Sequence, residues 1–219
     1  MATPLPPHLS KRLSAARRLF AAMEAGKPRL PPGQHTTRAW PTLSIDPTPY
    51  FDGKRWDVRV EGEVESPKTL SWQEITSKEL REEDISDFHC VTGWSRYDNH
   101  WAGVSLRKVA QLVKPRPNAK FVNFYSVGFY MTSMTIENAL HPHVMMVYEW
   151  EGKPLPPEHG GPLRVITPHL YAWKGAKWLQ RIVFLKEEEL GFWEVRGYSQ
   201  SAEPWKVDAN GNEIDRFSF

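Results

Sequence analysis

One cysteine, Cys90, stands in a chain of 219 residues. No disulfide can form within the chain, so a disulfide-stapled scaffold is excluded and the fold has to rest on a hydrophobic core. At this length a sizeable core is available without a structural metal. Apolar residues make up 40% and charged residues 25%, the ordinary range for a soluble globular protein. The formal net charge is +2 and no dense basic block occurs, which argues against nucleic acid as a partner. No stretch approaches the roughly 20 apolar residues needed to span a bilayer. Arg17-Arg18 precede an apolar run over residues 19–23, but Glu24 and Gly26 end it too soon for a twin-arginine export signal. The expectation is a chain without a signal peptide that stays in the cytoplasm as a monomer.

Nineteen prolines favour a chain that runs extended over much of its length. Ten tryptophans suit a rigid aromatic core. Residues 10–25 read as a helix capped by Ser10, with Leu13, Ala16, Phe20 and Met23 on one face and Lys11, Arg12, Arg17 and Arg18 on a solvated one. Residues 1–30 are therefore expected to form a helical arm and residues 31–219 a single domain. Within the domain, strands are expected over 56–64, 121–127, 129–135, 144–150, 163–167 and 182–185. Residues 88–91 form a short apolar run, and the end from Tyr198 on reads as coil. Helices are expected over 71–80, where Ser71 and Glu74 form a capping box, and over 105–113, with Ser105 as cap. Strands and short helices mix without strict alternation, so the fold class is α+β, mixed and strand-rich. No Gly-rich dinucleotide or phosphate loop is present.

Three clusters carry chemistry. In Asp87-Phe88-His89-Cys90-Val91-Thr92-Gly93-Trp94-Ser95-Arg96, turn formers directly follow an apolar run, which puts Cys90 at a strand end where its side chain can face a cavity. His89 and Arg96 are candidates to keep the thiol ionised, the form that binds soft metals. A lone cysteine among apolar neighbours is more often a quiet core residue. In Glu158-His159-Gly160-Gly161-Pro162-Leu163-Arg164, the paired glycines let backbone approach a ligand, and His159 and Arg164 can bond an anion or a polar heterocycle. The bland alternative is a plain Gly-Pro turn. In Trp173-Lys174-Gly175-Ala176-Lys177-Trp178, two lysines around a Gly-Ala step suit a phosphate, or else form a surface turn with two solvated lysines.

Together these runs, with Gly128-Phe129-Tyr130 between them, resemble the molybdopterin-binding domain of the sulfite oxidase family, over about residues 33–205. The similarity is greatest to short bacterial members. It implies a molybdenum–molybdopterin cofactor with one pterin dithiolene, and Cys90 as the protein's ligand to the metal. It further implies that the pterin is held by His35, Arg38, Ala39, Ser126, His159, Arg164, Gly175, Ala176 and Lys177. Arg38 and Tyr198 carry over as catalytic residues of the substrate pocket. The implied reaction is oxygen-atom transfer to or from a small sulfur or nitrogen compound, with electrons exchanged with a separate partner. The chain has no Cys-x-x-Cys-His haem attachment site.

Departures bear on the substrate. Gly93 and Trp94 stand where well-studied oxidases bring extra arginines into the pocket, and those oxidases' dimerisation domain is not expected here. Sulfite would need fixed positive charge, for which Arg38, Arg96 and Arg196 are candidates. A neutral, open, aromatic-lined pocket would instead favour sulfoxides, methionine sulfoxide among them. A reading from another class is a non-catalytic metal binder using His89, His141, His143 and His159, although no finger spacing occurs. A third is a family member that folds without cofactor.

Overall fold

The computed structural model describes Pro7 and residues 26–207, apart from 53 and 54. The expected helix over 10–25 lies outside these residues.

Two sheets form the domain, joined by short helices. In the first, β5 (Trp94–Ser105) is the spine. It pairs antiparallel with β4 (Glu82–Cys90) and β8 (Met145–Trp150), and parallel with the two-residue β1 (His35–Thr36). Strand β8 in turn pairs with β9 (Lys153–Pro154) and β10 (Arg164–Ile166). The second sheet has five strands. These are β2 (Asp57–Gly62), β3 (Lys68–Ser71), β6 (Phe121–Ser126), β7 (Met131–Thr135) and β11 (Leu179–Leu185), in the order β3-β2-β11-β6-β7. The helices are α1 (Trp72–Ile75), α2 (Leu106–Val113) and α3 (Ile136–Ala139).

Strand periodicity decides where the chemistry goes. Because successive side chains of a strand point to opposite faces, β8 serves two cores. Met146 and Tyr148 enter the large core with Val58, Val60, Leu106, Phe124, Ile182 and Phe184. Met145 and Val147 enter a smaller aromatic core with Phe88, Trp94 and Trp101, against which Trp40, Trp150 and Cys90 pack. Strand β10 splits the same way: Val165 joins the large core and Ile166 the aromatic one. Arg164, two residues from Ile166, therefore shares its face. The guanidinium lies 5.2 Å from the Phe88 ring centre and 5.9 Å from that of Trp40.

The helix caps read from sequence are present. Ser105 Oγ accepts from the Lys108 N–H at 3.2 Å, and Ser71 and Glu74 form the reciprocal capping box. The helix expected over 71–80 is shorter, a single turn at α1, because the chain leaves helical geometry at Thr76. The largest departure is the β4–β5 hairpin, where the sequence suggests only a short apolar run. It carries charges paired with other side chains: Glu83 with Arg81 on the same segment and with His100 across the hairpin, and Asp84 with His143. Those charges break the apolar alternation by which a strand is recognised.

Gly103 sits on β5 where its pairing with β8 shifts register. A Cβ there would lie 2.0 Å from Met146 O and 2.7 Å from Val147 Cα, both backbone atoms that cannot yield. Gly103→Ala should lower unfolding free energy by at least about 2 kcal/mol, measured by urea denaturation. An unchanged midpoint would mean that this strand contact is looser than described.

Candidate active site

Cys90 ends β4 and pairs across the hairpin with Trp94. The three-residue loop between them closes with Gly93 at φ +97°, a left-handed conformation that favours glycine, and the Gly93 N–H reaches Cys90 O at 3.1 Å. The turn chemistry read from Thr92 and Gly93 thus presents the thiol, which is partly exposed and 3.1 Å from Thr92 Oγ1. A polar network supports it from behind. Gln34 Nε2 donates to Cys90 O at 3.1 Å, Gln34 Oε1 accepts from Ser95 Oγ, and Ser95 Oγ lies 2.8 Å from His89 Nδ1.

The expected roles of His89 and Arg96 toward the thiol are not what the geometry shows. His89 is buried, and burial pushes it down to about 4, so it is neutral near pH 7. Arg96 turns away, bonding Asn99 Oδ1 and lying 4.6 Å over the Trp150 ring. The cation that couples electrostatically to Cys90 is Arg164.

Arg164 is buried, and its guanidinium donates to three backbone carbonyls: Val165 at 3.2 Å, His159 at 2.9 Å and Gly175 at 3.1 Å. Among the described residues it meets no carboxylate. Burial pushes it down to about 10, with Tyr130 and Cys90 opposing that shift. Gly175 permits the close approach: a Cβ there would lie 2.4 Å from Val165 O.

A cavity of about 350 Å³ opens in front of these groups. Its lining includes seven of the residues expected from sequence: Cys90, Ser126, His159, Arg164, Gly175, Lys177 and Tyr198. Ala176 is buried in the large core instead, while His35, Arg38 and Ala39 are exposed and outside the lining. Neither Arg96 nor Arg196 reaches the lining. His159 stacks on Trp40 with ring centres 3.9 Å apart, and burial pushes it down to about 4. Lys177 Nζ donates to Leu43 O, Ser44 Oγ and Glu158 O, each at 2.8 Å, and burial pushes it down to about 7. The strap over residues 40–46, without regular secondary structure, forms one wall. It is pinned at its far end by Asp46, which accepts the N–H groups of Phe129 and Tyr130 at 3.0 and 3.1 Å.

The wall fits a large polar heterocycle with an anionic, sulfur-rich edge. Among the described residues, Ser126 Oγ and the Trp173 indole N–H are buried at the lining with no hydrogen-bond partner, and Arg164 supplies a buried positive charge. The imidazole set of the metal-binder reading does not assemble. His141 stacks with His169 at 4.0 Å, whereas His89 packs on Trp205 and His159 on Trp40. Among the described residues no group of three His, Cys, Asp or Glu side chains is arranged to hold a metal. Sequence reasoning missed Trp40, Asp46 and Glu194, and took Lys174 as a solvated or phosphate-binding lysine. Lys174 is fully buried and paired with Glu194 at 2.8 Å.

A family model for the oxidoreductase molybdopterin binding domain matches residues 45–193. The uncharacterized oxidoreductase YuiH of Bacillus subtilis (strain 168) is 40% identical over 179 residues, which span 81% of this chain and 90% of that protein. Two catalytic subunits of protein-methionine-sulfoxide reductase, MsrP of Campylobacter jejuni and of Ralstonia nicotianae, are each 30% identical. Those matches span 74% and 70% of this chain, but only 59% and 52% of the subunits. The sulfane dehydrogenase SoxCD from Paracoccus pantotrophus shares the fold, with a TM-score of 0.57 at 17% identity, over 64% of this chain and 40% of that one.

The depressed histidines set an acid limit. An unfolded chain takes up protons as pH falls through 6.5, whereas His159 in the fold resists protonation until about 4. Stability from this source is complete above pH 6.5 and drains away as pH falls toward 4. His89 acts in the same window. His159→Gln should therefore show a shallower loss of urea midpoint between pH 6.5 and 4 than wild type. An identical slope would mean that the ring titrates freely.

Proposed function

This chain belongs to the oxidoreductase molybdopterin binding domain family, and on that footing we propose that it reduces neutral sulfoxides, methionine sulfoxide foremost, with Cys90 as the thiolate ligand of molybdenum. The observation that carries the substrate is the character of the cavity wall. Trp40, Phe88, Tyr130, Trp173, Trp193 and Tyr198 are among the residues that line it. The charged groups in the lining already have roles apart from substrate: Arg164 is bonded to carbonyls with its charge assigned here to the cofactor's sulfur edge, Lys177 donates to the strap and to Glu158 O, and Asp46 accepts backbone N–H groups. An anion such as sulfite calls for fixed, unspent positive charge. The 30% identity to two protein-methionine-sulfoxide reductase subunits supports the same substrate.

Molybdenum on one pterin dithiolene supplies oxygen-atom exchange coupled to a two-electron change. The balanced reaction takes a sulfoxide, two protons and two electrons to a sulfide and water, with the electrons coming from a separate redox partner. The chain's own residues bind and orient. Cys90 would offer the thiolate ligand, and Arg164, a buried cation at the same cavity, would favour an anionic sulfur edge beside it. Ser126 Oγ and the Trp173 N–H offer hydrogen bonds to the polar edge of a pterin. His159, neutral at physiological pH, offers one ring nitrogen as donor and the other as acceptor. Lys177, whose ammonium now donates to Leu43 O, Ser44 Oγ and Glu158 O, would be the residue to hold the pterin phosphate.

Protein purified from a host that makes molybdopterin should reduce methionine sulfoxide and dimethyl sulfoxide with reduced viologen. Its kcat/KM for them should exceed that for sulfite oxidation by ferricyanide by at least about 100-fold. Faster turnover of sulfite would replace this reading with sulfite oxidation.

A further inference from the structure

Behind the aromatic end of the cavity lies an ion pair that the chemistry above does not use. The side chains of Lys174 and Glu194 are fully buried, with Nζ 2.8 Å from Oε1. The same Oε1 also accepts from the Thr132 hydroxyl at 2.8 Å and from the Ser133 N–H at 3.0 Å. Lys174 Nζ donates in addition to Ser133 O at 2.7 Å. Three segments distant in sequence therefore meet at one carboxylate oxygen: strand β7, the 3-10 turn Ala172–Lys174 and the 3-10 turn Glu194–Arg196.

Neither member of the pair lines the cavity, but the residue before each does. Trp173 and Trp193 are both in its wall, and Tyr198 packs on them with ring centres at 5.5 and 4.7 Å. The turn carrying Trp193 is pressed onto β7. The Phe192 N–H donates to Met131 O at 2.7 Å, and a Cβ on Gly191 would lie 2.4 Å from that same oxygen. Apolar contacts between aromatic rings are non-directional and tolerate sliding, whereas three hydrogen bonds to one oxygen do not. A buried ion pair is a weak source of stability, because desolvation offsets its attraction, and its best-attested use is to fix a register.

We propose that Glu194, clamped by Lys174, is a positioning residue that sets the spacing of Trp173, Trp193 and Tyr198 and thereby the size of substrate the cavity accepts. The kinetic part rests on the proposed sulfoxide reduction; the structural part does not. Lys174→Met combined with Glu194→Leu removes both charges at similar volume, a replacement that buried pairs often tolerate without loss of stability.

The test uses cofactor-loaded protein. The expected result for the double variant is a melting temperature within about 4 °C of wild type, with clear loss of near-ultraviolet circular dichroism from the aromatic group. Its KM for the bulky substrate methyl p-tolyl sulfoxide should change roughly tenfold, with kcat and the KM for dimethyl sulfoxide little altered. A wild-type near-ultraviolet spectrum and wild-type KM values at preserved stability would overturn the proposal and leave the pair a purely structural element. Should the double variant melt early, Glu194→Asp decides. It keeps the charge but is one methylene too short to hold all three segments, so the same spectral and KM changes are expected, and their absence overturns the proposal. If wild type turns over no sulfoxide, the substrate reading falls and the spectral comparison still decides the positioning role.

Discussion

A buried cation that, among the described residues, hydrogen-bonds to backbone carbonyls and meets no carboxylate organises this protein. Arg164 gathers the carbonyls of His159, Val165 and Gly175, so the two loops on either side of β10 are drawn around one guanidinium. Taking such a charge out of water costs several kcal/mol, and carbonyl dipoles offset this only in part. The remaining field is directed at the cavity, where the nearest coupled groups are the Tyr130 phenol and the Cys90 thiol. A thiolate and an anionic dithiolene are the species such a site stabilises. The strand alternation that places Val165 in the large core is what turns Arg164 toward the aromatic one.

Around that charge the cavity is built from pieces that are weak alone. The 40–46 strap has no regular secondary structure and is held at two points, by Lys177 and by Asp46. The aromatic wall comes from loops on both sheets and is locked from behind by a single carboxylate oxygen of Glu194. Polar clamps therefore do the positioning, while apolar surface sets the chemistry the cavity admits. That division suits a site whose reactive group is a cofactor, since the chain has to supply shape, charge and dryness more than reacting atoms.

Local rules were legible in the sequence and long-range ones were not. The caps at Ser71 and Ser105, and the turn at Thr92 and Gly93, depend on bonds spanning three or four residues, and each is present. Strands β6, β7, β8 and β10 fall close to where apolar alternation puts them. The β4–β5 hairpin was hidden because its exposed edge is paired by charges rather than apolar side chains. Of the site, residues from three compact motifs line one cavity: Cys90, His159, Arg164, Gly175 and Lys177. Arg38 was reachable only through resemblance and stands exposed outside the cavity lining, its carbonyl accepting from Arg96. Lys174 misled because its partner, Glu194, lies twenty positions on, beyond any local pattern.

The central claim is that Cys90 delivers a protein thiolate to molybdenum beside Arg164. X-ray absorption at the molybdenum edge, on wild type and Cys90→Ser loaded in the same host, counts the sulfur neighbours directly. The account predicts three in wild type, two from the dithiolene and one from Cys90, and one fewer in the variant. An equal sulfur count in the two proteins would contradict it.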